Sequence, residues 1–292
     1  MRSIRNIALT SPFNVSTTFT KRTTYRKIHT SLYKSLPIQT SQRNNENVLE
    51  LQKPELIIFD KDGTLICFHS MWIPWAINTA KSLEEATGLV TSRDVFQLLG
   101  ICPVKKKVKP GLLAEATMQQ IKVEIQKLLM QNGVKNVHKL DVIDRCIHES
   151  QSACPSKMRA IQDIRSLFIT LKNNNIKIAM CTSDNRKNTM STLQWLEVEN
   201  IVDIIVCGDD PESKPKPHPH NAINICRILQ VEPENAVMVG DTLADIHMAR
   251  AAGLMAVGVL SGVGEVDYLE PHADILVSIT SIFKILCLIR KY

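Results

Sequence analysis

Leu56-Ile57-Ile58-Phe59-Asp60-Lys61-Asp62-Gly63-Thr64-Leu65 opens on four apolar residues and closes on two acids, a glycine and a hydroxyl. An unbroken apolar run that stops at a polar residue reads as a strand buried on both faces, the form strands take inside parallel sheets. Comparable runs recur at 176–181, 201–207, 236–239, 255–260 and 275–279. Helical patterns separate them at 157–172, 186–196, 220–229 and 244–252. This alternation predicts an α/β fold, a Rossmann-like and mostly parallel sheet joined by right-handed crossovers.

One spacing breaks the rhythm. Between the strand that ends at Asp60 and the one that ends at Thr182 lie roughly 120 residues, whereas a βαβ crossover needs only about 30. The surplus carries apolar-periodic stretches at 114–130 and 142–149. It predicts an inserted α-helical cap domain over 66–155, between core segments 46–65 and 156–292. Ligands of open α/β sheets bind beyond the carboxyl ends of the strands, so such an insertion would cover the site.

Four of the strand ends carry polar groups. Asp60 and Asp62 stand two apart and leave a strand into a glycine turn, an arrangement that needs a cation to offset their repulsion. Thr182, Ser183 and Asp184 follow the second strand, and Lys214-Pro215-Lys216-Pro217 places ammonium groups on a proline-stiffened loop. Gly240-Asp241-Thr242-Leu243-Ala244-Asp245 supplies a further acidic pair. Each piece has a bland reading: Asp-Gly as a turn, Thr182 and Ser183 as helix caps, the lysines as solvated loop charges, Asp245 as a first-turn helix acid. Four such pieces in this order, each after its own strand, point to one composite site holding a nucleophile, a proton donor, a metal site and phosphate-oxygen donors.

In order and context the four segments resemble motifs I to IV of the haloacid dehalogenase superfamily, over about residues 55–279, with the insertion at the position of that family's C1 cap. The Lys-Pro-x-Pro loop and Gly-Asp-Thr-x-x-Asp are most similar to its phosphoglycolate phosphatase-like members. The resemblance implies a Mg²⁺-dependent phosphatase acting on a small phosphomonoester. Asp60 would attack phosphorus to give an aspartyl-phosphate, and Asp62 would serve as acid and then base. Thr182, Ser183 and Lys214 would hold phosphoryl oxygens; Lys214 is preferred to Lys216 because the pattern Lys-Pro-x-Pro-x-Pro starts there. Mg²⁺ would take oxygens of Asp60, Asp62 (through its carbonyl) and Asp241, with Asp245 behind them or ligating through water. An acid at position 62 sets this chain apart from dehalogenases, which lack one there, and from transport ATPases, which carry Thr. Lys61 would point away and has no assigned role. Two alternatives stay open, a phosphomutase of the same superfamily and a non-catalytic binding protein on this fold.

The formal charge of +6 suggests a basic protein until its distribution is read. Residues 1–45 hold eight Lys and Arg and no acid, leaving 27 basic against 29 acidic residues in the remainder, a net of −2. The segment is also rich in Ser and Thr, 14 of 45, the composition of a mitochondrial transit peptide. It predicts delivery to the mitochondrial matrix, while the near-neutral body argues against nucleic acid as a partner. A small phosphorylated metabolite is the expected partner. No run approaches the ~18 apolar residues of a membrane span, so no membrane insertion is expected, and oligomeric state is not legible. Eight cysteines without a Cys-x-x-Cys pair give no zinc or redox motif and predict no structural disulfide. Lys105, Lys106, Lys107 and Lys109 read as a solvated run, and the aromatic segment 67–75 as cap core in preference to a wall over the substrate.

Overall fold

The computed structural model describes residues 53–89, 91–134, 141, 143–147 and 157–277. The leader at 1–45 and its proposed import signal lie outside the described residues, as do Cys154 and Cys287.

Six strands form one parallel sheet: β1 (Leu56–Phe59), β4 (Lys177–Cys181), β5 (Ile204–Val206), β6 (Ala236–Gly240), β7 (Met255–Val259) and β8 (Ile275–Val277), in the order β5-β4-β1-β6-β7-β8. β1 lies at the centre, with Leu56 opposite Lys177 on one side and Ala236 on the other. Helices α5 (Ile164–Asn173), α6 (Arg186–Trp195), α7 (His220–Leu229), α8 (Leu243–Ala252) and the short α9 (Val266–Leu269) complete this part.

Alternation along β1 sends successive side chains to opposite faces. Ile57 and Phe59 pack with Leu167, Phe168 and Leu171 of α5 and Leu193 of α6. Leu56 and Ile58 pack with Ala222 and Ile225 of α7 and with Ile246 and Ala249 of α8. All four β1 residues are fully buried, which is why the run shows no polar alternation. The helix expected over 157–172 begins only at Ile164, where Asp163 caps it by accepting from the Ser166 backbone N–H at 2.9 Å. Before it the chain runs beside the β1 turn, with the Cys67 and Ile161 N–H groups bonded to Arg159 O and Leu65 O.

The insertion builds α1 (Phe68–Thr87), α2 (Ser92–Leu99), α3 (Leu112–Glu115), α4 (Met118–Gln131) and helical residues at 143–147. They have their own core of Phe68, Trp75, Leu83, Leu99, Ile125 and Ile147, among others, joined by Val263 from the loop after β7. The helix expected over 114–130 is two helices, because Thr117 starts a new one: its hydroxyl accepts from the Gln120 N–H while the Gln120 side chain accepts from the Thr117 N–H. The insertion is not wholly helical. β2 (Ile101–Cys102) and β3 (Lys107–Val108) pair as an antiparallel hairpin, and the lysine run forms its exposed tip, where Lys106 takes φ +48°.

Candidate active site

The carboxyl ends of β1, β4 and β6 lie side by side, and the groups that follow them converge. The Asp60 N–H donates to Val239 O at 2.9 Å, extending the β1–β6 ladder by one residue and fixing where its carboxylate starts. The chain then turns sharply: Leu65 N–H returns to Lys61 O at 2.8 Å and Gly63 N–H to Ile66 O at 2.7 Å. Gly63 sits at φ +90°, and a β-carbon there would run into the Asp241 carboxylate. Only glycine meets both demands.

The lysine beside Asp60 is Lys216. Its Nζ donates to Asp60 Oδ1 at 2.7 Å and to Asp245 Oδ1 at 2.6 Å, and its side chain is 4% exposed. The structure thus brings Lys216 to Asp60 and leaves Lys214, the lysine preferred from the sequence, exposed. Asn221, in the first turn of α7, explains the difference. Its side chain clamps the Lys214 backbone from both directions, accepting from the N–H at 3.0 Å and donating to the carbonyl at 2.8 Å. The Lys214 side chain is left in solvent while the loop carries Lys216 inward.

Asp245 spends both oxygens on the chain. Oδ1 accepts from Lys216 and Oδ2 from the Thr242 hydroxyl at 2.7 Å, within a capping box that starts α8. It is therefore better placed to orient Lys216 than to ligate an ion directly. Asp241 is different: Oδ2 accepts from the Val263 N–H at 2.7 Å, while Oδ1 is buried with no partner. Ligand oxygens of Asp60, Asp241 and Asp245 lie within 4.8 Å of one another. Asp62 falls outside this trio, its Oδ2 lying 2.9 Å from Lys61 Nζ.

Burial pushes Asp60 up to about 7, with Asp245 and Asp62 adding to the rise and Lys216 opposing it. Asp241 is driven well above the ordinary carboxylate range by burial and by Asp60 and Asp245. Burial works against the charge on Lys216, but Asp245 and Asp60 outweigh it and hold its pKa above the usual lysine value. Three buried acids against one ammonium, with one carboxylate oxygen unpartnered, leave a deficit of positive charge that a hard divalent cation fits.

Lys61 does not point away. It is 1% exposed and bridges Asp62 and Asp184, with Nζ 2.7 Å from Asp184 Oδ2. Asp184 and Asp62 offset burial and raise the Lys61 pKa. Burial raises Asp62, while Lys61 and the neighbouring Trp72 indole N–H draw it down. Neither Asp62 Oδ1 nor Trp72 Nε1 has a hydrogen bond of normal geometry. Alternation along an extended strand would send Lys61 outward, but the chain leaves extended geometry at Asp60, so that rule did not apply. A lysine flanked by two acids, with Asp184 at the next strand end, was the available signal.

Thr182 and Ser183 line the same cleft. Thr182 is held by its N–H to Val206 O at 3.0 Å, and its hydroxyl accepts from the Asp184 N–H at 3.1 Å. Ser183 Oγ reaches across to Glu115 O of the insertion at 3.3 Å. The cleft encloses about 470 Å³ including its open mouth, with Phe68, Trp72, Leu113 and Met118 forming the wall opposite the acids. Segment 67–75 therefore serves both readings, Trp75 packing in the insertion's core while Phe68 belongs to core and wall alike.

The loop after β7 was missed altogether. Gly262 and Gly264 have no room for a β-carbon because Asp241 lies against them, and Ser261 Oγ donates to Gly63 O at 2.5 Å. The Ser261-Gly262-Val263-Gly264 sequence after an apolar strand was the signal for a backbone approaching something closely.

Known proteins are similar to this chain in sequence and in fold. A phosphoglycolate phosphatase from Nitrosococcus oceani is 24% identical over 228 residues, covering 77% of this chain and 92% of that protein. A phosphorylated carbohydrates phosphatase from Thermotoga maritima is 24% identical over 200 residues, 68% of this chain and 82% of that one. The crystal structure of a predicted phosphoglycolate phosphatase from Haemophilus somnus 129pt superposes with a TM-score of 0.63 at 18% identity, over 80% of this chain and 99% of that one. The family model for haloacid dehalogenase-like hydrolases matches residues 54–253. That match spans more than half the sequence and both parts of the site, so the chain belongs to the haloacid dehalogenase-like hydrolase family, as an enzyme of phosphatase type.

Proposed function

We propose that the protein is a Mg²⁺-dependent phosphatase that hydrolyses a small phosphomonoester through an aspartyl-phosphate on Asp60. The observation that carries this reading is the Asp60 carboxylate, anchored through Oδ1 by Lys216 and facing a buried acidic cluster with an unpartnered oxygen. Asp60 Oδ2 attacks phosphorus, the ester P–O bond breaks, and the leaving oxygen takes its proton from Asp62. Water then attacks the phosphoenzyme, gives its proton to Asp62, and returns Asp60 and free phosphate. Burial keeps Asp62 able to hold a proton for the first step, and Lys61 limits how far its pKa rises. Thr182, Ser183 and Lys216 are the donors available to phosphoryl oxygens as charge develops on them. Asp60 and Asp241, with Asp245 supporting, would hold Mg²⁺, which when bound neutralises phosphoryl charge and aligns the attack.

The helices of 66–155 act in this reading as the cap, and residues 1–45 as a matrix-directing leader, which a fluorescent fusion that stayed outside mitochondria would refute. For the activity, the test is phosphate release from para-nitrophenyl phosphate with and without Mg²⁺, against Asp60→Asn. Metal-dependent release that is lost in the variant supports the proposal. Equal inactivity of both chains across common phosphoesters overturns it and leaves a binding role for the fold.

A further inference from the structure

The half of the cleft that would receive the leaving group has a charge character that constrains the substrate. Its wall is apolar, built by Phe68, Trp72, Leu113 and Met118, and one ionisable group stands in it, Glu115 at the end of α3. The Glu115 carboxylate has no hydrogen bond or ion pair among the described residues, although its backbone carbonyl is tied to Ser183. Lys216 is the one cation that lines the cleft among the described residues, and two of its three N–H donors go to Asp60 and Asp245 at the phosphoryl end of the cleft. Lysines of the hairpin tip do not enter the lining; Lys107 lies near His69 instead. Partial burial, with a smaller contribution from Asp245, pushes the Glu115 carboxyl above its ordinary pKa.

We propose that Glu115 is a specificity-determining residue that selects phosphomonoesters with an uncharged, hydroxyl-bearing leaving group and rejects those whose leaving group carries a carboxylate. A hydroxyl donates to the unpaired carboxylate, and the carbon skeleton lies against the aromatic wall. Trp72 contributes its ring face to this wall, while its indole N–H lies beside Asp62. A second carboxylate, as in phosphoglycolate, meets Glu115 with no cation to offset it, and like charges so placed weaken binding strongly. The inference rests on the phosphatase reading for the site and goes beyond it by setting this chain apart from the phosphoglycolate enzymes that it resembles in sequence.

Two phosphomonoesters isolate the effect: 2-hydroxyethyl phosphate and 2-phosphoglycolate differ only in a terminal hydroxymethyl or carboxylate. Their affinities are measured by calorimetry on the full chain carrying Asp60→Asn, loaded with Mg²⁺, so that binding is read without turnover. The hydroxyl compound is expected to bind at least ~10-fold more tightly. Adding Glu115→Gln is expected to shrink the ratio to about threefold or less by improving 2-phosphoglycolate. Should Asp60→Asn not fold, the same ratio comes from competitive inhibition of para-nitrophenyl phosphate hydrolysis by the wild type. Equal or tighter binding of 2-phosphoglycolate, or a ratio that Glu115→Gln leaves unmoved, overturns the proposal. A chain with the expected preference that never releases phosphate upholds the selectivity and overturns the phosphatase reading.

Discussion

Lys214 and Lys216 stand two residues apart on one loop, and their opposite placement gives a clean test of which ammonium serves the reaction. Lys216→Ala removes the donor bonded to Asp60 and Asp245 and is expected to lower kcat/KM by about 10²–10³-fold, the usual cost of losing a transition-state donor. Lys214→Ala removes a solvated charge and should change kcat/KM by no more than about twofold. Steady-state kinetics on both variants decides it, and equal losses would refute the assignment. Asp62→Asn deletes the group proposed to serve both steps and is expected to slow turnover by about 10²–10⁴-fold. Its signature in a quenched reaction is a phosphorylated protein that persists, because water then lacks its base.

At the scale of elements, the strands were legible and the walls of the site were not. β1 coincides with its apolar run at Leu56–Phe59, and α7 with the predicted 220–229, since burial on both faces or one leaves an unmistakable pattern. Asp60, Asp62 and Asp241 were legible for a related reason, each lying within three residues of the end of such a run. What stayed hidden depends on how loops fold: the reversal of Lys214 and Lys216 by Asn221, the inward Lys61, and the glycine loop after β7. Periodicity carries no information about a segment that has no period. The glycine loop is testable as an element. Gly262→Ala drives a β-carbon into the Asp241 side chain and is expected to weaken Mg²⁺ binding at least ~10-fold with the far-ultraviolet spectrum preserved. Unchanged metal affinity would show that this loop does not position Asp241.

For the whole molecule, the buried acids couple stability to pH and metal. Asp60 rises from an ordinary 3.8 to about 7 in the fold, and Asp241 also rises. An acid with a raised pKa keeps its proton in the folded chain after the unfolded chain has lost it. The metal-free protein therefore loses stability as pH climbs from the ordinary carboxylate range through about 7. Mg²⁺ needs the ionised forms, so the rise in Tm on adding saturating Mg²⁺ is expected to be larger at pH 8 than at pH 6, by several degrees, and to vanish with chelator. A gain that is equal or larger at pH 6 would contradict the assignment of these carboxylates to the cation.

The central place of β1 also dictates when the molecule becomes competent. The strands that flank β1 lie about 120 and 180 positions downstream of it, since Leu56 pairs with Lys177 and Ala236. Lys216, Asp241 and the Val263 N–H that holds Asp241 follow in the same late portion of the chain. The proposed nucleophile thus meets its lysine and its acidic cradle only when segments far apart in the sequence pair, and long-range pairing of this kind is slow to form. In the phosphatase reading, activity is therefore expected to require the docking of β6 and to be absent from fragments that lack it.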